Sequence, residues 1–161
     1  MDSVEKLSLQ GLMSTSEKSK NEDKHFFIFD QSGNVETFYN YQANLNDFYK
    51  DILKVQMGNQ TKEDALENLR SKMVHSMRTG KLFVINVSSV KPNFKEEYNG
   101  KDDLFPSNKI FDIKAWKDEA THMKIVRDEE NVNIMGDKGA FMLHPDFRIC
   151  ILSKYHDDEH A

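Results

Sequence analysis

The sequence predicts an α/β domain built on a mostly parallel sheet. Two runs, 82–87 and 149–152, are apolar at successive rather than alternate positions, which is typical of strands covered on both faces. A helical pattern over 61–79 is separated from the first run only by Gly80 and Lys81. Helix, tight turn and buried strand in succession indicate α/β architecture, with the second run as a central strand.

Composition supports one cytoplasmic domain. A chain of 161 residues can bury a substantial core, and eleven Phe and eight Met offset a hydrophobic content of only 38%. The net charge of −5 argues against nucleic acid or an anionic membrane as partner. No run is long enough to span a bilayer, and residues 1–20 contain no apolar core of a secretory signal. The single cysteine, Cys150, suits a reducing compartment.

The chain divides into a tail at 1–23, a single α/β domain at 24–155 and a charged tail at 156–161. The first tail is polar and has too little apolar area to offset chain entropy, so we expect disorder. The alternative is a short docking segment, because a few apolar residues recur there: Leu7, Leu9, Leu12 and Met13.

The first half of the domain begins with a strand at 26–29 and a turn at 30–34. The aromatic stretch 35–41 either extends this structure or enters a helix. A helix follows over 46–57. The helix at 61–79 is the clearest, because Thr61 and Gly80 are typical caps and an apolar stripe recurs at steps of three and four: Leu66, Leu69, Met73 and Met77.

In the second half, 91–108 is polar and contains Pro92, Gly100 and Pro106, so we expect a surface loop. Asp112 can cap a helix over 113–126, with an inward face at Trp116, Ala120 and Met123. A charged linker at 127–130 then leads into a predicted β-hairpin from 131, which precedes the last strand.

Motifs for nucleotide chemistry are missing. The Gly80–Lys81 pair is not followed by Ser or Thr, has no preceding glycine at the required distance, and follows a helix instead of a strand. Strand 82–87 carries Asn86 where a metal-binding acid would be expected. Because asparagine is neutral, it holds Mg²⁺ poorly and cannot serve as a base, so we expect a buried amide satisfied by backbone.

Other reactive side chains also have simpler interpretations. Cys150 lies inside an apolar run, where burial would raise its pKa, so we expect a core thiol. His25, His75, His122 and His144 lack metal-site spacing. The tail His156–His160 looks like a metal-binding sequence, but a charged tail without apolar anchoring has no constrained geometry, so we expect it to be solvated. We therefore predict no metal, cofactor or catalytic residue. Arg148 could face a nucleotide edge or pair with Asp146 or Asp137. Arg148 and Lys154 are the weak candidates for binding a cofactor through their charge, and the family resemblance given next adds Ser153.

Three segments resemble a dynein heavy-chain AAA+ module over roughly residues 24–155. The stretches 133–137 and 145–153 resemble a Gly-Asp hairpin and a Pro-Asp-Phe-Arg entry into the strand that bears the sensor-1 position, which falls near Ser153. Residues 79–87 are similar to the Walker B strand, and residues 25–42 to a strand and Asp-Pro-Gln turn upstream.

The resemblance implies a partial AAA+/P-loop-like core: a mostly parallel sheet, flanking helices, and a C-terminal β-hairpin plus central strand. The Walker A half and the Walker B acids are missing, so it also implies a degenerate, non-hydrolysing module. We therefore expect a non-catalytic structural or adaptor protein of a dynein-associated assembly in a ciliary or flagellar axoneme. Its expected partners are other proteins of that axonemal or microtubule-associated assembly.

Two alternatives remain open. The chain could be a nucleotide-binding regulatory subunit that completes a site with a partner through Arg148 or Lys154. In that case Arg148→Ala would weaken nucleotide binding by about 1–3 kcal/mol, as for one charged hydrogen bond. The chain could also be an interaction domain unrelated to AAA+ proteins, which a structure without parallel strands would favour.

Overall fold

A four-stranded parallel sheet forms the centre of the molecule. The computed structural model describes residues 9–101 and 104–154, and it places the strands in the order β1-β4-β3-β2. β4 pairs with β3 on one side, where Phe83 lies opposite Ile149, and with β1 on the other, where Phe26 lies opposite Cys150. The α/β prediction and the central position of the last strand are confirmed. The strand bounds are β1 Phe26–Phe29, β2 Asn44–Asn46, β3 Phe83–Ser88 and β4 Ile149–Ser153.

Helices cover both faces of the sheet. On one face, α1 and α2 pack over Ile28, Val84 and Cys150. On the other, α3, α4 and the chain after β3 pack over Ile85 and Ile151. No helix in the described part of the chain is long and apolar enough to cross a membrane. The helix bounds are α1 Leu9–Glu22, α2 Asn34–Gln42, α3 Phe48–Gln56, α4 Lys62–Thr79, α5 Phe94–Glu97, α6 Ser107–Ile110, α7 Ile113–Trp116 and α8 Glu119–His122, with 3₁₀ turns at Met123–Ile125 and Asp128–Glu130.

The predictions for α3 and α4 are confirmed. At the start of α4, Thr61 Oγ1 accepts a hydrogen bond from Asp64 N–H. At its end Gly80 adopts φ 77° and its N–H donates to Ser76 O, so the left-handed C-cap needs glycine. The predicted stripe is fully buried against the sheet: Leu66, Leu69, Met73 and Met77. Residues 35–41 enter a helix, the second of the two predicted outcomes.

The expectation of disorder in the first tail is wrong for residues 9–22, which form α1. Among residues 11–22 of this helix, whose burial is described, only Leu12 joins the buried apolar core. The helix is held largely by polar contacts, because Ser16 and Ser19 bind the buried guanidinium of Arg148. Apolar content alone therefore underestimated its order. Residues 1–8, and with them Leu7, lie outside the described residues, as do Tyr155 and the tail 156–161.

The surface loop predicted over 91–108 is wrong in two respects. It contains α5 and the start of α6, and Phe105 is completely buried. Phe94 stacks against Phe48 of α3, with ring centroids 5.6 Å apart and planes inclined by 18°. Pro and Gly mark real turns here, but the aromatic residues between them bury enough area to join the core.

The single helix predicted over 113–126 is also wrong. It is broken into α7, α8 and a 3₁₀ turn, because Asp118 has extended backbone at φ −64° and ψ 123°. Trp116 is buried as predicted and Met123 is half-buried, but Ala120 is exposed. His122 lies under Trp116, with its Nδ1 2.9 Å from the Trp116 carbonyl oxygen, which fixes the break.

The predicted C-terminal β-hairpin is wrong as a two-stranded unit. One antiparallel bridge joins Val132 and Lys138, and the chain from there to β4 forms no strand. The charged linker before it is a 3₁₀ turn. Side chains of Asn131 and Asn133 accept backbone N–H groups that a ladder would otherwise use. This local bonding competes with strand pairing.

Candidate functional site

The carboxyl ends of β1, β3 and β4 meet at one edge of the sheet. The connection after β1 leads to α2 on one face, whereas the connection after β3 leads to helices on the other face. Such a divergence opens a crevice, which is where α/β sheets bind ligands. Here the crevice has a volume of about 40 Å³ and is lined by Asp30, Gly33, Glu36, Asn86, Ser88, Leu152, Ser153 and Lys154. That is far below the roughly 300–1,000 Å³ of ligand pockets.

Asp30 fills the loop between β1 and α2 with its own carboxylate. Its Oδ1 accepts from Ser32 N–H at 3.2 Å and Ser32 Oγ at 2.7 Å. Its Oδ2 accepts from Gly33 N–H at 3.1 Å and Val35 N–H at 3.2 Å. Partial burial acts to raise the pKa of Asp30, but these hydrogen bonds outweigh it and lower the pKa. The carboxylate therefore stays ionised.

This arrangement has a consequence for anions. A glycine-containing loop at a helix N-terminus offers its N–H groups to phosphate. In this chain, the N–H groups of Ser32, Gly33 and Val35 already bind a carboxylate that belongs to the loop. A phosphate placed here would meet a negative charge at contact distance. The Asx-type loop geometry thus closes the position where a phosphate cradle would lie.

Asn86 lies at the end of β3 and is buried. Its Nδ2 lies 3.4 Å from Asp47 Oδ1, and its Oδ1 accepts from Ser88 N–H at 3.2 Å. The prediction of an amide satisfied by backbone is confirmed for the oxygen, and a side chain serves the nitrogen. Ser88 has φ 51°, and its carbonyl accepts from Lys154 N–H, so the ends of β3 and β4 are tied together.

The three predicted binding candidates are not brought together. Ser153 and Lys154 line the crevice. Arg148 precedes β4 and so lies at the opposite end of the sheet, about 16 Å away at some 3.3 Å per residue. Ser153 Oγ donates to Ser88 O at 3.3 Å. The sequence did not show which of these residues lies near a site, because a strand pattern does not indicate at which end of the strand a site is formed.

Arg148 is buried and its guanidinium has protein partners on every side. Its Nε donates to Ser19 Oγ at 2.9 Å and Ser16 O at 3.2 Å, one Nη bonds Ser16 Oγ, and the other donates to Asp146 O at 2.8 Å. Neither predicted carboxylate partner binds it, since Asp146 uses its main-chain carbonyl and Asp137 lies elsewhere. Burial lowers its pKa. Arg148 thus links α1 to the start of β4 through buried hydrogen bonds.

The prediction of a core thiol is confirmed for Cys150, and His25 is hydrogen-bonded inside the fold. Cys150 is fully buried in β4, and burial raises the pKa of its thiol well above the usual range. His25 Nδ1 accepts from Ile149 N–H at 2.9 Å, and its Nε2 lies 3.2 Å from Ile110 O. Burial lowers the pKa of His25 to about 4. Among the described residues no three His, Cys, Asp or Glu side chains are grouped to hold a metal.

The sequence did not reveal a second feature, an ordered loop over residues 131–142. Asn133 Oδ1 accepts from the N–H groups of Met135 and Asp137, and its Nδ2 donates to Asp137 Oδ2 at 2.8 Å. The loop nevertheless turns large apolar side chains outward: Ile134 is 69% exposed, Met135 88% and Met142 73%. Exposed apolar residues on well-ordered backbone are typical of protein contact surfaces.

Two arginines of α4 anchor the base of the 131–142 loop. Arg78 donates to the carbonyls of Glu130 at 2.7 Å and Val132 at 3.0 Å. Arg70, itself buried, binds the Glu130 carboxylate at 2.6 Å and the Glu67 carboxylate at 2.7 Å. The loop is therefore fixed to the longest helix of the fold. The sequence signal for this anchor was the pair of arginines on one face of α4.

Comparisons of the chain with protein-family models, with curated proteins and with solved structures found no match.

Proposed function

We propose that this chain is a non-catalytic structural or adaptor protein of a larger assembly, in the ciliary or flagellar axoneme that the dynein-like residues suggest. Its fold would be a degenerate AAA+/P-loop-like core. The parallel pairing of β3 with β4 supports this, because these strands carry the segments that resemble the Walker B and sensor-1 strands. Partners would be other proteins of the assembly, and its location the cytoskeleton.

The observation that carries the proposal is the carboxylate of Asp30 in the β1–α2 loop. An ionised side chain already satisfies the N–H groups of Ser32, Gly33 and Val35. At the end of β3 stands neutral Asn86, already bonded to Asp47 and Ser88. Neither loop nor strand supplies what phosphoryl transfer needs, which is a cradle for the phosphates and an acid for Mg²⁺.

Calorimetric titration with ATP and Mg²⁺ tests this. We expect no heat of binding up to about 1 mM nucleotide, a weak limit that corresponds to about −4 kcal/mol. The matched variant Asp30→Ala removes the carboxylate, and a gain of weak inorganic phosphate binding there would fit the closed-cradle interpretation. Binding of ATP by the unmodified protein at micromolar affinity, followed by hydrolysis, would refute the proposal.

The alternative is a nucleotide-binding regulatory subunit, and only one of its candidate cations still lies at the crevice. Lys154 lines the crevice, whereas Arg148 is committed to α1. Under this alternative Lys154→Ala would weaken nucleotide binding to the complex, and Arg148→Ala would act only through stability.

The 131–142 loop gives the adaptor role a surface. It is fixed by Asn133 and Arg78 yet exposes Ile134, Met135 and Met142. Co-purification from ciliary extract, followed by mass spectrometry, tests it with the double substitution Ile134→Asp and Met135→Asp. We expect loss of axonemal proteins that the unmodified chain retains. Tyr41→Asp, at an exposed position on α2, is the control and should retain them. Equal recovery with both variants would contradict a role for the loop.

A further inference from the structure

The outer edge of β1 is the second exposed apolar feature of the fold. Among the described strands, β1 lies at the edge of the sheet and pairs only with β4. Asp30 N–H donates to Ser153 O, and backbone groups alternate in direction along a strand. The N–H and C=O of Phe27 therefore point away from β4, toward the side where a further strand would pair.

One large apolar side chain at this edge, that of Phe27, is exposed. Phe27 is 65% exposed and stacks on Phe29, with ring centroids 6.3 Å apart and planes inclined by 10°. Ile28, between them, is buried on the opposite face under α2. Natural edge strands are commonly protected by Lys, Pro or a bulge, and β1 has none of these within Phe26–Phe29.

Charges at the two ends of β1 are opposite. Lys24 precedes the strand, has a side chain 62% exposed, and lies 3.6 Å from Glu22. Asp30 follows the strand and is kept ionised by its hydrogen bonds. An antiparallel copy of the same strand, aligned with Phe27 opposite its own equivalent, would set each Lys24 opposite Asp30 of the other copy. The strand is thus complementary to itself only when the two run in opposite directions.

We propose that two copies of this chain associate through β1, joining their sheets antiparallel into one continuous eight-stranded sheet about a two-fold axis at Phe27. The symmetric arrangement satisfies the outward N–H and C=O of Phe27 in both copies and covers both exposed rings. Because the shared edge is only four residues long, the contact falls below the roughly 1,200 Å² of stable interfaces. The dimer is accordingly weak, with a dissociation constant of about 10–100 μM.

Sedimentation equilibrium between about 5 and 500 μM, a range that brackets this constant, tests the proposal. We expect a concentration-dependent shift from monomer to dimer. Phe27→Lys puts a charge at the centre of the pairing and should weaken association at least tenfold, by about 1.4 kcal/mol. Tyr41→Lys is the matched control, since Tyr41 is 80% exposed on α2, and it should leave association unchanged.

Orientation is tested with Lys24→Glu, which places like charges at both ends of the antiparallel pair. Its association should be weaker than that of the unmodified chain in 50 mM salt. The difference should shrink in 500 mM salt, where the screening length is about threefold shorter. Circular dichroism and melting temperature establish that each variant folds. The proposal is overturned if the chain stays monomeric throughout the range, if Phe27→Lys leaves association intact, or if Tyr41→Lys weakens it equally. The antiparallel register is overturned if Lys24→Glu associates as strongly as the unmodified chain.

Discussion

Replacing Arg148 by alanine should release α1 from the sheet. The guanidinium makes hydrogen bonds to Ser16, Ser19 and Asp146, and it is almost completely buried. Over residues 11–22 of α1, Leu12 is the one residue in the buried apolar core. Arg148 therefore contributes a large part of what holds the helix, and its loss should be felt locally before it is felt globally.

The size of the effect follows from the number and kind of contacts. Hydrogen bonds to a charged group contribute about 1.5–3 kcal/mol each, but they are not additive. Desolvation of the guanidinium, evident in its lowered pKa, offsets part of their sum. We expect a net loss of about 3 kcal/mol of unfolding free energy, about the contribution of one or two hydrogen bonds to a charged group.

Hydrogen exchange and urea unfolding together provide the assay. Amides of α1 should exchange much faster in Arg148→Ala, while those of α4 keep protection relative to the lowered global stability. Arg127→Ala is the control, because Arg127 is half-exposed and its side chain pairs with Glu67 at the surface, a contact worth about 0–1 kcal/mol. If α1 keeps its protection and the free energy falls by less than 0.5 kcal/mol, about one surface pair, the reasoning about Arg148 is wrong.

Gly80→Ala should cost about 2–4 kcal/mol in a urea titration, since φ is 77° and a Cβ would lie 2.3 Å from His144 Nδ1, whereas Gly58→Ala, at the same φ but in open space, should cost about 1 kcal/mol. Burial lowers the folded pKa of His25 to about 4, so the unfolding free energy should be highest above pH 6.5 and fall by about 2–3 kcal/mol as the pH drops toward 4. His25→Gln should reduce this dependence of the unfolding free energy on pH, and an unchanged dependence would contradict the prediction. Burial raises the pKa of Asp51, so its contribution is fullest below the unfolded pKa and is lost as pH rises through the folded pKa. Asp51→Asn should therefore unfold at higher urea than the unmodified chain at pH 7, and a lower midpoint would count against this.

The pattern of apolar residues was sufficient to predict the elements whose faces are buried in a regular way. The stripe of α4 and the apolar runs of β3 and β4 needed no tertiary information, because burial on one or both faces leaves a regular pattern. β2 escaped prediction, since a three-residue strand with two asparagines carries no such pattern. Its Asn44 bonds Lys72 O and Ser76 Oγ of α4, contacts that exist only once the helix is in place.

At the crevice the sequence predicted the residue types that are present but not how their side chains are bonded. The missing motifs and the neutral Asn86 could be read directly, because they concern residue types. That Asp30 folds back on its own loop could not, since the same Asp, Ser and Gly also fit an open turn. The hydrogen-bond partners of Arg148 lie on α1, a helix whose apolar pattern was too weak to predict.

The position of β4 between β1 and β3 constrains how the molecule can fold. β1 and β3 never pair with each other, so the sheet is two separate pieces until residues 149–153 enter between them. During synthesis β1 and β3 therefore emerge, each with an unpaired inner edge, long before the strand that joins them. Closing the gap brings together residues more than a hundred positions apart, as in the bond from His25 to Ile149. Formation of the sheet should accordingly be slow and late, and the unpaired inner edges are prone to aggregation in the interval.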